Sequence, residues 1–363
     1  MGKQVFSIQW HLNEDCNLRC KHCYQNSYLN QRQLSFNQIT GFIDHFFEAT
    51  KKWGQEPEFV LTGGEPFLRK DFFKIIERIR RKSRDANITI LSNGTLIDKN
   101  TASKLSDCNV NAVQLSIESP DRQTNDSIRG EGSYDKVINA IKTLKAVGME
   151  LHFHLTLSKM NVAQIDDFIQ FAKENEIDIV NIDRLIPLGS GQNIVSWLLE
   201  PKELLKAYKK IYELEKQLAL ENSKTKIRIS RTLWCAFDEG KKTTRLPVGG
   251  ACGVGRNTLT ILSDGTILPC RRLPIRLGNI TKDSLYKVWY ASKVLWNLRN
   301  TKKFRLCGKC KFLDKCGGCR GLAFSYLGDY MQSDPQCFLV HDKLPEYKGI
   351  KNKMDESGAY LVE

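Results

Sequence analysis

Short apolar runs alternate with longer amphipathic ones over the first two thirds of the chain, and their periods assign the elements. Runs rich in β-branched and aromatic residues predict strands at 5–10, 58–62, 88–92, 112–118, 150–157 and 178–183. Between them, apolar residues three and four apart predict helices at 35–52, 70–81, 98–106, 133–146 and 162–174. Ser35, Asp98 and Ser133 stand where N-caps belong, and Gly148 stands as a stop. A longer helix follows at 201–220. Six strand–helix repeats imply a parallel sheet with right-handed crossovers, so the fold class is α/β and residues 1–235 read as a partial (β/α)6 TIM-like barrel.

The texture changes near Gly249, where glycine and cysteine crowd together, strands shorten, and one helix at 283–298 interrupts them. Residues 236–248 read as a linker and 249–340 as a small cysteine-rich domain organised by ligands. The charged segment 341–363 carries no motif and reads as a surface extension. No repeat array or low-complexity tract is present.

At 363 residues and 41% hydrophobic content the chain can bury a sizeable core. No run approaches the roughly 18 apolar residues of a membrane span, and no export signal is apparent, so a cytoplasmic protein with no membrane partner is expected. Twelve cysteines in that compartment point to metal rather than disulfides. The net charge of +14 comes from 55 Lys and Arg spread over most segments, without an RNA-binding module. Nucleic acid is therefore not expected, and a basic face suits solvent or an acidic peptide or protein.

Just past the first strand, Cys16, Cys20 and Cys23 follow His11-Leu-Asn-Glu-Asp at three-then-two spacing. Loops at the carboxyl ends of parallel strands are where chemistry collects. Three thiolates are one short of a closed structural site, whereas a cluster held by three leaves one iron free. A zinc knuckle completed by His11 or His22 is the competing reading. After the second strand comes Thr62-Gly63-Gly64-Glu65-Pro66, whose paired glycines let a backbone approach a ligand or merely turn. Ser92-Asn93-Gly94-Thr95 after the third strand is equally ambiguous. Gln114, Ser116 and Glu118 alternate on the fourth strand, share one face, and need partners there.

The cysteine triad with Tyr24, followed by Gly63-Gly64-Glu65-Pro66, resembles the radical S-adenosylmethionine (SAM) enzymes. The resemblance implies a [4Fe-4S] cluster on Cys16, Cys20 and Cys23, its fourth iron chelated by SAM. It places Gly63, Gly64 and Glu65 at the SAM amino group, and Ser116 and Arg129 on its carboxylate and ribose side. Asn93 would contact the ribose and the Tyr24 backbone the adenine. The implied mechanism is reductive cleavage of SAM to a 5'-deoxyadenosyl radical that abstracts a hydrogen atom from substrate.

Further on, Cys252, Gly265 and Cys270 precede Cys307, Cys310, Cys316, Cys319 and Cys337, a spacing that resembles the SPASM extension of radical SAM enzymes. It implies two auxiliary [4Fe-4S] clusters: a distal one on Cys307, Cys310, Cys316 and Cys337, and one nearer the active site on Cys252, Cys270 and Cys319. The short gap between Cys316 and Cys319 leaves those two exchangeable. The eighth ligand is Cys235, or the near cluster keeps an open iron. Cys108 reads as a packing residue.

This architecture implies a maturase that forms a thioether or carbon–carbon link in a ribosomally made peptide. A reductant such as flavodoxin or ferredoxin and a separate leader-peptide recognition protein would be its partners. Related enzymes act on tetrapyrrole side chains, and a zinc or electron-transfer protein is the non-enzyme alternative. Sulfatase formylglycine maturases carry an aspartate after the second near-cluster cysteine. Here Arg271 and Arg272 follow Cys270, which weighs against that chemistry and suits a carboxylate-bearing substrate. His152 and His154 share a face of the fifth strand and read as packed, hydrogen-bonded histidines, with acid–base work in the barrel as the alternative. Asp183 and Arg184 end the sixth strand before the loop 187–191, at the mouth or paired with each other. The catalytic acid or base is unassigned.

Overall fold

A computed structural model describes residues 4–25, 28, 33–229, 232–237, 252–340, 349–350 and 359–360. Strand β1 (Gln4–His11) leads into helix α1 (Phe36–Trp53), and the alternation continues through β2 (Gln55–Thr62), α2 (Phe72–Lys82), β3 (Asn87–Ser92), α3 (Lys99–Asp107) and β4 (Ala112–Ser116). Helices α4 (Arg122–Arg129) and α5 (Ser133–Lys145) precede β5 (Glu150–Leu157), followed by α6 (Ile165–Glu174), β6 (Ile179–Arg184), α7 (Pro201–Leu220) and β7 (Lys226–Ile229). The later part adds β8 (Thr258–Ile261), β9 (Thr266–Leu268), β10 (Gly278–Asn279), α8 (Leu285–Ala291), α9 (Lys293–Arg299) and α10 (Arg320–Leu327).

All ten strands share one sheet in the order β10-β9-β8-β1-β2-β3-β4-β5-β6-β7. β1 to β7 are parallel neighbours in chain order, which sets the loops after their carboxyl ends on one rim. The six expected strands form this run, and four-residue β7 extends it. A larger difference lies at the other edge, where the cysteine-rich region joins the same sheet. β8 pairs in parallel with β1, from Ser7 opposite Thr258 to Trp10 opposite Ile261.

Phe6, Ile8 and Trp10 alternate to one face of β1 and are fully buried. Helix α1 covers them, with the Phe42 ring 5.0 Å from Trp10 and Phe46 6.0 Å from Phe6. Trp289 of α8 closes on Phe6 at 4.8 Å, so one aromatic group spans both regions. Each such buried ring contributes about 1.5–3 kcal/mol. α1 opens on a capping box between Ser35 and Gln38 and stops at Gly54, whose φ is 67°.

Several expected boundaries move. α4 escapes a periodicity search because Arg-Gln-Thr-Asn-Asp-Ser leads it and Ile128 is its one large apolar residue, although Asp121 caps it through Thr124 N. Ser133 is the first residue of α5 and not its cap. Its hydroxyl donates to Asp126 and accepts from Asn125, while Gly132 at φ 72° makes the turn. The single helix expected at 283–298 is two, broken where Ser292 turns extended and caps α9 through Leu295 N. The expected linker, but for 236–237, and most of the expected tail lie outside the described residues. Within that tail Ala359 and Tyr360 are buried, against the expected surface extension: Tyr360 N donates to Pro274 O, and its ring lies 5.3 Å from Phe324. No helix among the described residues is long and apolar enough to cross a membrane.

Candidate active site

The loop after β1 carries the first cysteines against the turn after β2. Gly64 N donates to Asn13 O at 3.0 Å, Glu65 N to Asp15 O at 2.6 Å, and Asn13 Nδ2 to Glu65 O at 2.9 Å. A Cβ on Gly63 would stand 1.9 Å from Asn13 Oδ1, and one on Gly64 2.2 Å from Asp15 O. The paired glycines are thus required by the cysteine loop itself, in addition to any ligand. From the other side the loop 187–191 presses on the same segment. Gly191 N donates to Cys23 O at 3.1 Å, Ser190 N to Gln25 O at 3.2 Å, and a Cβ on Gly189 would sit 2.4 Å from the Tyr24 carbonyl.

Beneath the loop lies a buried ionic group. Glu118, 1% exposed, accepts from Arg129 Nη1 at 2.8 Å and Thr156 N at 2.8 Å, and lies 3.2 Å from His22 Nε2. Burial opposes its charge, but His22 and Arg129 outweigh that and hold its carboxyl down to about 2. His22 is therefore committed to Glu118. Arg129 joins the group to the triad, since its carbonyl lies 3.6 Å from Cys20 Sγ. The polar face on β4 finds its partners here and in Gln114, which accepts from Asn181.

The remaining SAM-side expectations cluster around this loop. Glu65 is fully buried and accepts from Ser92 Oγ and Asn93 N, each at 2.9 Å. Burial pushes its carboxyl up to about 7 despite those donors. Asn93 Nδ2 reaches Cys16 Sγ at 3.7 Å and Asn17 at 2.9 Å, which links the turn after β3 to the triad. Ser116 ends β4 opposite His154 on β5. Tyr24 lies 5.8 Å from the His11 ring, and the Arg271 guanidinium sits 4.3 Å above its ring.

A recurring contact is shared by cysteines of both regions. The amide two residues on donates to Sγ at Cys16, Cys23, Cys270, Cys310 and Cys316, at 3.4–3.5 Å. Amide donors to sulfur favour thiolate and tune iron–sulfur potentials. Burial meanwhile raises the bare thiols, Cys20 to about 11 and Cys252 and Cys337 to about 12, so a cationic core is what would hold them as thiolates. No three His, Cys, Asp or Glu among the described residues gather around a single ion, whereas thiolates around a cubane stand further apart than those around one tetrahedral zinc. The donor set fits iron–sulfur clusters.

The later cysteines fall into two groups. Cys252, Cys270 and Cys319 line one cavity of about 290 Å³ together with Asp183 and Arg272. Cys337 lies in the field of Cys307 and Cys316, and Cys310, Cys316 and Cys337 all act on Cys235. Cys235, expected to complete the near group, lies instead in the distal one. Its thiol and that of Cys316 share a hydrogen bond, which favours the Cys316 thiolate against its burial. Spacing along the chain carries no signal of this, because the turn Trp234–Phe237 reaches the distal group from β7. Cys108 is half-buried at the end of α3, apart from both groups.

Asp183 and Arg184 do not pair with each other, because successive strand residues face opposite ways. Asp183 turns inward to Arg272 and to His154 Nε2 at 3.1 Å. Burial opposes its charge, but both neighbours hold it well below the usual carboxylate range. Arg184 turns outward, fully buried, to Asp334 at 2.7 and 3.0 Å, and Asp334 also accepts from Cys319 N at 2.8 Å. His152 pairs with Glu150 at the opposite end of β5, outside the site. Two residues singled out in the sequence also stand out here: Arg271 Nε has no hydrogen-bond partner among the described residues, and fully buried His11 lies ring-to-ring with Tyr24 beside the Gly63 backbone.

Comparison with known proteins bears on the same segments. The model of the Radical SAM superfamily matches residues 11–172, and that of the SPASM iron-sulfur cluster-binding domain matches residues 252–317. An AdoMet-dependent heme synthase from Methanosarcina barkeri is 28% identical over 345 residues, 91% of this chain and 95% of that protein. The mycofactocin maturase MftC of Mycobacterium tuberculosis is 26% identical over 350 residues, 93% of this chain and 83% of that protein. Streptococcus suis SuiB bound to precursor peptide SuiA superposes with a TM-score of 0.73 at 18% identity, covering 92% of this chain and 76% of its own.

Proposed function

We propose, because the chain belongs to the radical SAM superfamily and carries a SPASM iron–sulfur domain, that this enzyme takes a hydrogen atom from a carboxylate-bearing peptide and matures it by forming a thioether or carbon–carbon link. Its cofactors are S-adenosylmethionine and iron–sulfur clusters. When bound, they supply a carbon-centred radical, and the chain's residues orient the partners and exclude water. Cys16, Cys20 and Cys23 would hold the SAM-binding cluster, with Gly63, Gly64, Glu65, Asn93, Ser116, Arg129 and the Tyr24 backbone on the SAM side. Cys252, Cys270 and Cys319 would hold the near auxiliary cluster, and Cys307, Cys310, Cys316 and Cys337 the distal one. A flavodoxin or ferredoxin as reductant and a separate leader-peptide recognition protein belong to the same proposal.

The observation that supports a carboxylate-bearing substrate is Arg271. The residue is buried, its guanidinium lies over Tyr24 beside the triad with Nε unbonded, and the buried His11 ring lies against the same tyrosine. Buried donors without partners are costly, and a carboxylate matches the guanidinium fork. Similarity to a mycofactocin maturase over 93% of this chain supports a peptide as the bearer of that carboxylate. A tetrapyrrole with carboxylate side chains is the second reading, favoured by the similarity to heme synthases over 91% of the chain.

The test is anaerobic reconstitution with SAM and dithionite, offering in turn a short peptide encoded beside this reading frame and iron-coproporphyrin. 5'-Deoxyadenosine together with a mass change in the peptide is expected. A mass change in the porphyrin alone moves the conclusion to the second reading. Intact SAM under both conditions ends both.

A further inference from the structure

We infer that a basic hollow beside the distal cysteines is the docking surface for an acidic one-electron carrier protein. The inference rests on the reading that these cysteines hold an iron–sulfur cluster. The hollow measures about 1,070 Å³, and Lys302, Lys303, Arg305, Lys309 and Lys311 surround it. All five are exposed, and none forms an ion pair with a described residue. Surface lysines elsewhere do find acids: half-buried Lys173 meets Glu221 at 2.6 Å and exposed Lys210 meets Asp166 at 2.7 Å. Between 301 and 316 the sequence sets six cations against the single acid Asp314. This face is therefore a concentrated positive patch, distinct from the dispersed charge of the rest of the chain.

Cys310 stands on the wall of the same hollow, next to the Phe312 ring over which Lys311 lies at 5.0 Å. A cluster on Cys310 would thus present an edge to whatever occupies the hollow. Electron transfer needs close approach and tolerates a weak, short-lived complex, which is what complementary charge around a small apolar floor provides. An acidic peptide or a nucleic acid would match the charge but would have no use for the cysteine on its wall. In the transfer, one electron leaves the carrier's anionic flavin hydroquinone, which becomes the neutral semiquinone, and enters the oxidised distal cluster. No proton moves and no bond is made or broken.

The experiment uses the reconstituted holoenzyme and a reduced, acidic flavodoxin, with cluster bleaching followed by stopped flow. Wild-type bleaching by flavodoxin should slow steeply as salt shortens the Debye length from ~30 Å toward ~8 Å. The Lys302→Glu/Lys303→Glu variant should lose about tenfold or more in that rate at low salt. Its iron content and its bleaching by dithionite should stay at wild-type level. A control variant, Lys206→Glu/Lys209→Glu on α7, should change the rate less than twofold. Equal losses in both variants, or no loss in the first, overturn the inference. An unchanged carrier rate with weakened binding of an acidic peptide overturns it too and reassigns the hollow to substrate. Failure to hold iron at all would instead defeat the underlying reading, and iron content separates the two outcomes.

Discussion

The first three cysteines and the later ones are held in opposite ways. The triad rides on a loop whose shape the barrel dictates: Gly63 and Gly64 press on its backbone from β2, Gly189 from beyond β6, and the Glu118 group fixes His22 beneath it. In the distal group, Cys307 and Cys235 sit on the short turns Leu306–Lys309 and Trp234–Phe237, and the thiols lie in one another's field. A scaffold that needs no metal for its shape can leave a coordination position vacant for a substrate. A region that gathers its thiols on short turns would gain part of its stability from the metal they hold.

The strongest way to break this contrast is to delete one thiol from each side. Cys20→Ala should abolish SAM cleavage, a loss on the order of 10³-fold or more, while thermal unfolding stays near wild type. Cys316→Ala should lower the melting temperature and release distal iron. Equal melting of the two variants would remove the distinction. Next is the joint between the regions: Arg184→Ala leaves Asp334 buried without its countercharge, and should cost about 3–5 kcal/mol in guanidinium denaturation. A cost under about 1 kcal/mol would mean the cysteine-rich region is anchored by other contacts.

Glu118→Gln should sharpen the comparison by weakening only the first region, with iron there lost to a chelator about 10–100-fold more readily and auxiliary iron unaffected. The smallest effect concerns pH. Burial raises the Glu65 carboxyl to about 7, so it is neutral below that value and charged above it. A neutral group no longer offsets the SAM ammonium, so SAM affinity should fall up to about tenfold per unit below pH 7 and level off above. A flat titration of SAM binding between pH 6 and 8 would separate Glu65 from the cofactor.

What sequence revealed of the fold was what local pattern encodes. β5 and α7 fall within 150–157 and 201–220 as expected, because buried parallel strands and a Pro-started amphipathic helix carry unmistakable periods. α4 was hidden by its polar sequence. The opposite facing of Asp183 and Arg184 was implicit in strand alternation, but Asp334, 150 residues away, was not. The glycine pair was legible as a close approach, yet what approaches is the protein's own residues 13–15. Cys235 shows the limit on the other side, since spacing counts thiols without saying which of them meet.

The pairing of β8 with β1 bears on how the chain is made. On the ribosome β1 emerges first, and β2 soon covers one of its edges, but the other stays bare until Thr258–Ile261 has been synthesised. Such an edge is a template for wrong partners, and contacts this distant in sequence form slowly. Production that lets nascent chains wait for their last third, by slower translation at lower temperature, should therefore return more correctly folded enzyme than any change made to the amino-terminal half alone.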